Sequence, residues 1–449
     1  MAGTGDFING MQTYKDTVLE TPPIKVAPRL GFAWDVTGDG RTSVRGGAGI
    51  FYDRFQDDDI LDLIELPPLL NTYTTNYTTV RDLLASPLTA TPTAVRYFPT
   101  FTPPVVYNWS LGVQREIAWG LAGDVAYVGN AARNQRTNVA INGRPYGYAY
   151  QASSLDQTNV NNGQAQPLPD DLLRPYRGYG AITFRDFGGY SDYHSIQTSV
   201  NRRRGPEGLS FGAAYTYQIV NNTLGTIDPF VSDNRARNYN ASGRRPHTLS
   251  VNYAYDVPAL SHKWNNAVVK GVFDNWQVSG VTSVISGAFG AFSYNYTNVP
   301  TGALSGTGAI NAPVNVNGAN GVGSRPNIVC DPTLPKGERT YARQFKTECI
   351  APPTDQFRLG NEHGDEFHGP GFMNWDISFF KNIPIGTSAR RLQLRCELYN
   401  AFNNDQWTAV NTTATFDYQT GKQTNAAFGS LTGATNSARR IQLAARFTF

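Results

Sequence analysis

The last nine residues of the chain alternate without a break: Ile441, Leu443, Ala445, Phe447 and Phe449 fall on one side, and Gln442, Ala444, Arg446 and Thr448 on the other. Successive side chains of an extended chain point to opposite faces, so this spelling specifies a strand with one apolar and one polar face. The same period recurs upstream. Leu392, Leu394, Cys396 and Leu398 oppose Gln393, Arg395, Glu397 and Tyr399; Leu249, Val251, Tyr253 and Tyr255 oppose Thr248, Ser250, Asn252 and Asp256. Leu209, Phe211, Ala213, Tyr215 and Tyr217 oppose Ser210, Gly212, Ala214, Thr216 and Gln218, while Met373, Trp375, Ile377 and Phe379 interleave with Asn374, Asp376 and Ser378.

Read throughout in this way, the chain holds about eleven strands, most near the ~9–11 residues with which a tilted strand crosses a bilayer. They are expected to begin near Val26, Ser43, Pro104, Leu121, Phe187, Gly208, Arg245, Val269, Gly371, Ala389 and Ser437. The connections alternate in length. Short ones fall at 37–41, 117–120, 203–207 and 382–386, with a somewhat longer one at 259–266; long ones fall at 54–103, 133–186, 219–244, 288–370 and 403–436. Tight turns at one end and long loops at the other are the pattern of an outer-membrane barrel, with its turns periplasmic and its loops extracellular. The fold class expected is therefore all-β, a transmembrane antiparallel up-and-down β-barrel.

Composition agrees. The chain carries 44 glycines, 24 tyrosines and 24 phenylalanines with only 16% charged residues, yet it is hydrophilic on average. Lipid-facing and lumen-facing positions in alternation give that mixture. No apolar run approaches the ~18 residues of a transmembrane helix, and a formal charge of +3 gives no basic excess to suit nucleic acid. The opening MAGTGDFINGMQTYKD has neither the basic nor the apolar region of an export signal. With the long loops outside, the first strand runs downward from the extracellular face, which leaves an odd strand count. Both points lead to the expectation that residues 1–25 are the remnant of an extracellular loop and 26–449 the C-terminal part of a larger barrel.

Candidate chemical sites are few. Cys330 and Cys349, in a Gly/Pro/Asn-rich stretch, are read as a loop disulfide in an oxidising compartment, the alternative being a zinc pair that lacks further ligands at suitable spacing. Cys396 sits among apolar strand positions as an inert, lipid-facing thiol. The stretch 361–368, with His363 and His368 among three acids, fits no zinc template and reads as a solvated loop. Asp35, Thr37, Asp39 and Gly40 open like a calcium loop but lack its later glutamate and suit a hairpin turn. Asp57, Asp58, Asp59 and Asp62 read as a solvated acidic run rather than a cation site. The glycines at 46, 47 and 49 lie within an alternating strand, where they ease close packing. No nucleophile elbow, phosphate loop or dinucleotide motif is present, so no catalytic residue, cofactor or metal is assigned and the chain is not expected to be an enzyme.

Positions are assigned by face. Asn108, Gln114, Gln197, Asn201, Asn252, Asp376, Gln393, Arg395 and Glu397 are expected to point to a polar lumen. Tyr253, Tyr255, Phe447 and Phe449 form a lower aromatic girdle, with Tyr215 and Tyr217 above. Arg202–Arg204 and Arg390–Arg391 lie at the periplasmic rim, Arg244–Arg245 and Arg439–Arg440 at the outer rim near the phosphates of lipopolysaccharide.

Four stretches, APRLGFAWDVTGDGRTSVRGGAGIFYDRF (27–55), YNWSLGVQREIAWGLAGDVAYVGN (107–130), GPGFMNWDISFFKN (369–382) and LQLRCELYNAFNN (392–404), with the terminal ARFTF, resemble the barrel of TonB-dependent receptors, specifically the Oar-like group. The resemblance covers nearly the whole chain and is weakest in the long loops. It implies a barrel of about 22 strands around a plug, of which this chain supplies roughly half, and passage of a bulky solute. It also implies contact with the TonB system through an N-terminal part absent from this sequence, and a C-terminal signal, Phe447 and Phe449, read by the barrel assembly machinery. Outer-membrane lipids and lipopolysaccharide would surround it. The rival readings are a self-contained passive pore of about twelve strands, with one more strand in 1–25 or 70–102, and a secreted β-rich adhesin.

Overall fold

The structure, a computed structural model, describes residues 22–53, 94–97, 102–143, 152–161, 164–168, 170–177, 179–225, 227, 238–298, 325–353, 360–386, 390–434 and 438–449. The acidic run at 57–62 and most of segment 1–25 lie outside them.

Eleven strands form one antiparallel sheet in chain order. They are β1 (Arg29–Asp35), β2 (Thr42–Tyr52), β3 (Val105–Ile117), β4 (Leu121–Ala140), β5 (Ile182–Arg202), β6 (Leu209–Leu224), β7 (His247–Asp256), β8 (Trp276–Ile285), β9 (Phe372–Pro384), β10 (Arg391–Tyr399) and β11 (Arg440–Thr448). Each pairs with its neighbours in sequence. A short strand at Ala94–Tyr97 joins β5 in parallel, off this path. Among the described residues β1 and β11 each pair on one side only.

The register carries one side-chain face across the whole sheet. Phe32 opposes Gly46, Gly46 opposes Leu111, and Leu111 opposes Tyr127. Tyr127 opposes Ile196, Ile196 opposes Tyr217, and Tyr217 opposes His247. At the other end Leu392, Leu394, Cys396 and Leu398 oppose Phe447, Ala445, Leu443 and Ile441. Apolar residues on this face stay uncovered: Leu30 and Leu443 are each 76% exposed. Such a row is costly in water and is explained only by an apolar surround.

Glycines on this face serve the aromatics. Phe32 lies over Gly46, Trp109 over Gly129 and Tyr253 over Gly280, each its direct opposite on the next strand. A ring can lie flat there because no Cβ fills the space.

The short connections hold as hairpins. In 36–41 Asp35 accepts from Gly38 N (3.0 Å) and Gly40 N (2.8 Å), and both glycines have positive φ. The Thr37 hydroxyl donates to Asp39 and holds its carboxyl below the usual carboxylate range.

Three expectations need correction. Val269 does not open a strand: Ala267–Phe273 is a short helix, α1, capped by Asn266, whose side chain accepts from Val268 N at 2.8 Å, and β8 starts at Trp276. Its valines read as β-formers, but the cap and the break in alternation at Lys270-Gly271 decide for helix. The segment expected as loop 133–186 is partly strand, since β4 and β5 run 20 and 21 residues and overshoot the span of a bilayer. A β-bulge at Ile219 lets β6 bend where it leaves the pattern near His194. The long connections 288–370 and 403–436 are folded rather than irregular.

The buried core sits in those connections. Ser293–Thr297 pairs in parallel with Thr413–Asp417, and short antiparallel pairs join Phe289–Gly290 to Phe367–His368, Asn327–Ile328 to Ile350–Ala351, and Trp407–Val410 to Leu431–Ala434. Between them Phe292, Tyr294, Tyr296, Phe345, Phe367 and Phe416 pack with Ile350 and Phe428. Phe292 and Phe345 meet edge to face at 4.7 Å, a favourable aromatic geometry. Cys330 and Cys349 are disulfide-bonded beside this core, Cα to Cα 4.9 Å.

Candidate functional site

All nine polar positions singled out in the sequence lie on the face opposite the apolar rows. Asn108 opposes Gly49 and Asn130; Gln114 opposes Ser43 and Asp124. Gln197 opposes Ala126 and Thr216, and Asn201 and Asn252 both oppose Gly212. Asp376 opposes Val281; Gln393, Arg395 and Glu397 oppose Asn382, Phe380 and Ser378.

The structure joins several of them. Asn130 donates its amide to Asn108. Asn201 and Asn252 close over Gly212 from two sides, so a Cβ there would meet both carbonyl oxygens at 2.8 Å. Arg395 Nε donates to Gln393 Oε1 (2.7 Å), whose Nε2 donates to Asn382 Oδ1 (3.0 Å), and the guanidinium stands over the Phe380 ring. Tyr399 donates to Glu397, and Asp376 accepts from Asn400 N at 2.9 Å where β10 leaves the sheet. Gln114 stands apart from these groups along the same face. The result is a polar, hydrogen-bonding surface of mixed charge, suited to water and a polar solute.

A cleft lined by Asn374, Asp376, Tyr399, Asn400, Gln406 and Gln442 opens where this face meets the long connections. Above it three connections lock together. Asn240 Nδ2 donates to the His363 carbonyl (2.7 Å) and Ala241 N to Asp365 (3.2 Å), tying 225–246 to 286–371. The parallel pair 293–297 with 413–417 ties 286–371 to 400–439.

The 361–368 stretch is the clasp of this unit. Asn361 pairs with both backbone groups of Ile328, at 2.6 Å and 3.1 Å. Glu362 is buried and accepts from Phe292 N (3.2 Å); burial pushes its carboxyl up to about 7. Glu366 accepts from His363 N (2.9 Å), Phe367 enters the core, and His368 packs on Phe289, burial pushing its imidazole down. Among the described residues no three His, Cys, Asp or Glu side chains converge as a metal site.

Two features were not anticipated. At the outer end of the apolar face Tyr127 and Tyr215 hydrogen-bond His194 and His247 through Nδ1, at 2.6 Å and 2.8 Å, and Tyr217 stacks on His247. His194 opposes Gly129 and His247 opposes Tyr217, so each hydrogen-bonded tyrosine lies diagonally, two positions from its histidine's direct opposite, which only the register reveals. The rim arginines are held by backbone: Arg244 donates to Ile219 O (2.6 Å), Arg245 to Ser286 O (3.0 Å) and Arg439 to Ala401 O (3.4 Å). At the other rim Arg202 pairs with Glu207 at 2.8 Å, and Arg204 with Asp256.

A meander of long antiparallel strands, with an uncovered apolar face, a polar reverse face and the long connections gathered at one end, defines an outer-membrane β-barrel protein. The family model for the outer membrane beta barrel domain matches residues 2–442, and the chain belongs to that family, whose place is the bacterial outer membrane. No curated protein matches it in sequence. Among solved structures it is similar to the outer membrane transporter YddB from Escherichia coli, at 10% identity and a TM-score of 0.45, over 94% of this chain and 40% of that one. It is similar to the ferripyoverdine receptor of Pseudomonas aeruginosa at 11% identity and a TM-score of 0.40, over 94% and 33%. For the FrpB iron transporter from Neisseria meningitidis the values are 10%, 0.39, 94% and 38%. The chain thus spans 33–40% of the length of these three.

Proposed function

We propose that the chain is the C-terminal barrel portion of a TonB-dependent, Oar-like receptor that binds a bulky solute at its extracellular loops and passes it inward along the polar face. The observation that supports this best is the joining of three long connections into one packed unit above a continuous polar surface. A receptor needs a shaped, pre-organised entrance, whereas a passive pore needs only an open one. In this reading Asn108, Gln114, Gln197, Asn201, Asn252, Asp376, Gln393, Arg395 and Glu397 line the lumen and meet a plug or the passing solute. Phe447 and Phe449 serve barrel assembly, and TonB acts through a part that precedes residue 1.

The passive pore of about twelve strands loses one of its supports, because Ala94–Tyr97 runs parallel to β5 instead of extending the meander. The genomic DNA upstream of Met1 provides the test. An in-frame continuation encoding a plug domain and an export signal is the expected result. A stop codon followed by a promoter immediately before Met1 overturns the receptor reading.

A further inference from the structure

The connection between β7 and β8 differs from the other short turns. It carries a 3-10 turn at Leu260–His262 and α1, and it leaves large apolar side chains in the open: Trp264 is 63% exposed, Val268 67% and Phe273 50%. Leu260 and Val272 are open as well, so an apolar stripe runs along the connection: Leu260 in the 3-10 turn, Trp264 in the bend, and Val268, Val272 and Phe273 in α1. His262, Lys263 and Lys270 flank the stripe, and the first turn of α1 holds no acid.

The side of the sheet on which this segment lies is fixed by two residues of known face. Trp276 and Lys381 oppose each other in the register and share the apolar face with Val278 and Phe379. Trp276 Nε1 donates to Val272 O at 2.7 Å, and Lys381 Nζ donates to Val272 O at 3.2 Å and also to Asp274 O. The last carbonyls of α1 therefore sit on that face, where they give a rim ammonium the partners it needs in an apolar surround. Asp274 is turned back onto Ser261, which donates to it through both its backbone N–H and its hydroxyl, so the acid is not presented outward.

We infer that residues 260–273 form a membrane-interface foot. Its apolar stripe enters the acyl boundary of the periplasmic leaflet, and Lys263 and Lys270 meet the phosphates of its phospholipids. The argument is continuity: the stripe extends the lipid-contacting belt of the sheet at the level of Trp276, and its charge is the complement of an anionic headgroup layer. Short apolar helices with Trp and flanking lysines bind at this depth. A soluble periplasmic partner is the competing occupant. The inference depends on the outer-membrane location and not on the receptor reading.

The test uses isolated outer membranes carrying the protein with Cys396→Ala and a single new cysteine. Val268→Cys and Val272→Cys are compared with Glu207→Cys in the β5–β6 turn for reaction with a sulfonated, water-soluble maleimide. A thiol in an acyl environment is both hidden and harder to ionise. The expected result is labelling at 268 and 272 at least about tenfold slower than at 207, restored to the rate at 207 by detergent. Equal rates in the intact membrane overturn the inference. Slow labelling that persists in detergent or is relieved by a salt wash, as removal of a bound protein would do, also overturns it.

Discussion

The indole of Trp109 lies flat across Gly129, its direct opposite on the neighbouring strand, and a Cβ added to Gly129 would overlap the ring. With Phe32 over Gly46 and Tyr253 over Gly280, the pairing shows how the sheet keeps bulky aromatics on its apolar face without bending the ladder. Gly129→Val therefore forces the indole off its seat. It is expected to lower the stability of the sheet by about 1–3 kcal/mol, read as a lower midpoint in guanidinium unfolding in detergent. Unchanged unfolding would show the indole to be loosely held.

The Cys330–Cys349 bond closes its loop beside the aromatic core of the connections. Replacing both cysteines by alanine is expected to weaken that unit by about 2–4 kcal/mol through the freedom returned to the open chain, while the eleven-stranded sheet persists. Limited proteolysis of the protein in membranes checks this, with cleavage confined to residues 288–370 and 403–436.

Glu362 gives the loop unit a pH dependence of stated sign. Its folded value, about 7, exceeds the ordinary 4.5, so the folded state holds the proton more tightly. Stability is greatest below the unfolded value and declines as pH rises from about 4.5 to about 7. The total is up to about 3 kcal/mol. Protease resistance of the loops should thus be higher at pH 5 than at pH 8, and Glu362→Gln should flatten the difference by holding the site neutral.

Cys396 stands on the apolar face opposite Phe379 and Leu443. In intact membranes it should react with a small lipophilic maleimide and resist a sulfonated one, because a charged reagent does not enter hydrocarbon. Rapid reaction with the sulfonated reagent would put this face in water and remove the basis for the membrane topology.

The strands were legible because each faces two solvents. Leu392 to Leu398 and Ile441 to Phe449 spell that difference in every second letter, and the register keeps them together. The polar positions followed from the same parity. The loop core was hidden for a physical reason: Tyr294 and Phe416 meet across 122 residues through a parallel pairing that no local signal announces. A trace was present, since Phe292, Tyr294 and Tyr296 alternate, as do Ala414, Phe416 and Tyr418. The helix α1, seven residues long, is too short for a helical period to stand out, and the Tyr–His pairs were missed because their partners sit on different strands.

The clasp at 361–368 has a mechanical consequence. With Asn240 holding His363, and Ser293–Thr297 paired to Thr413–Asp417, the surface connections 225–246, 286–371 and 400–439 are coupled as one body. In the proposed receptor, a displacement that admits cargo would swing this body on its stems or break it at a joint, and fraying of 286–371, which carries both joints, would release the other two from each other.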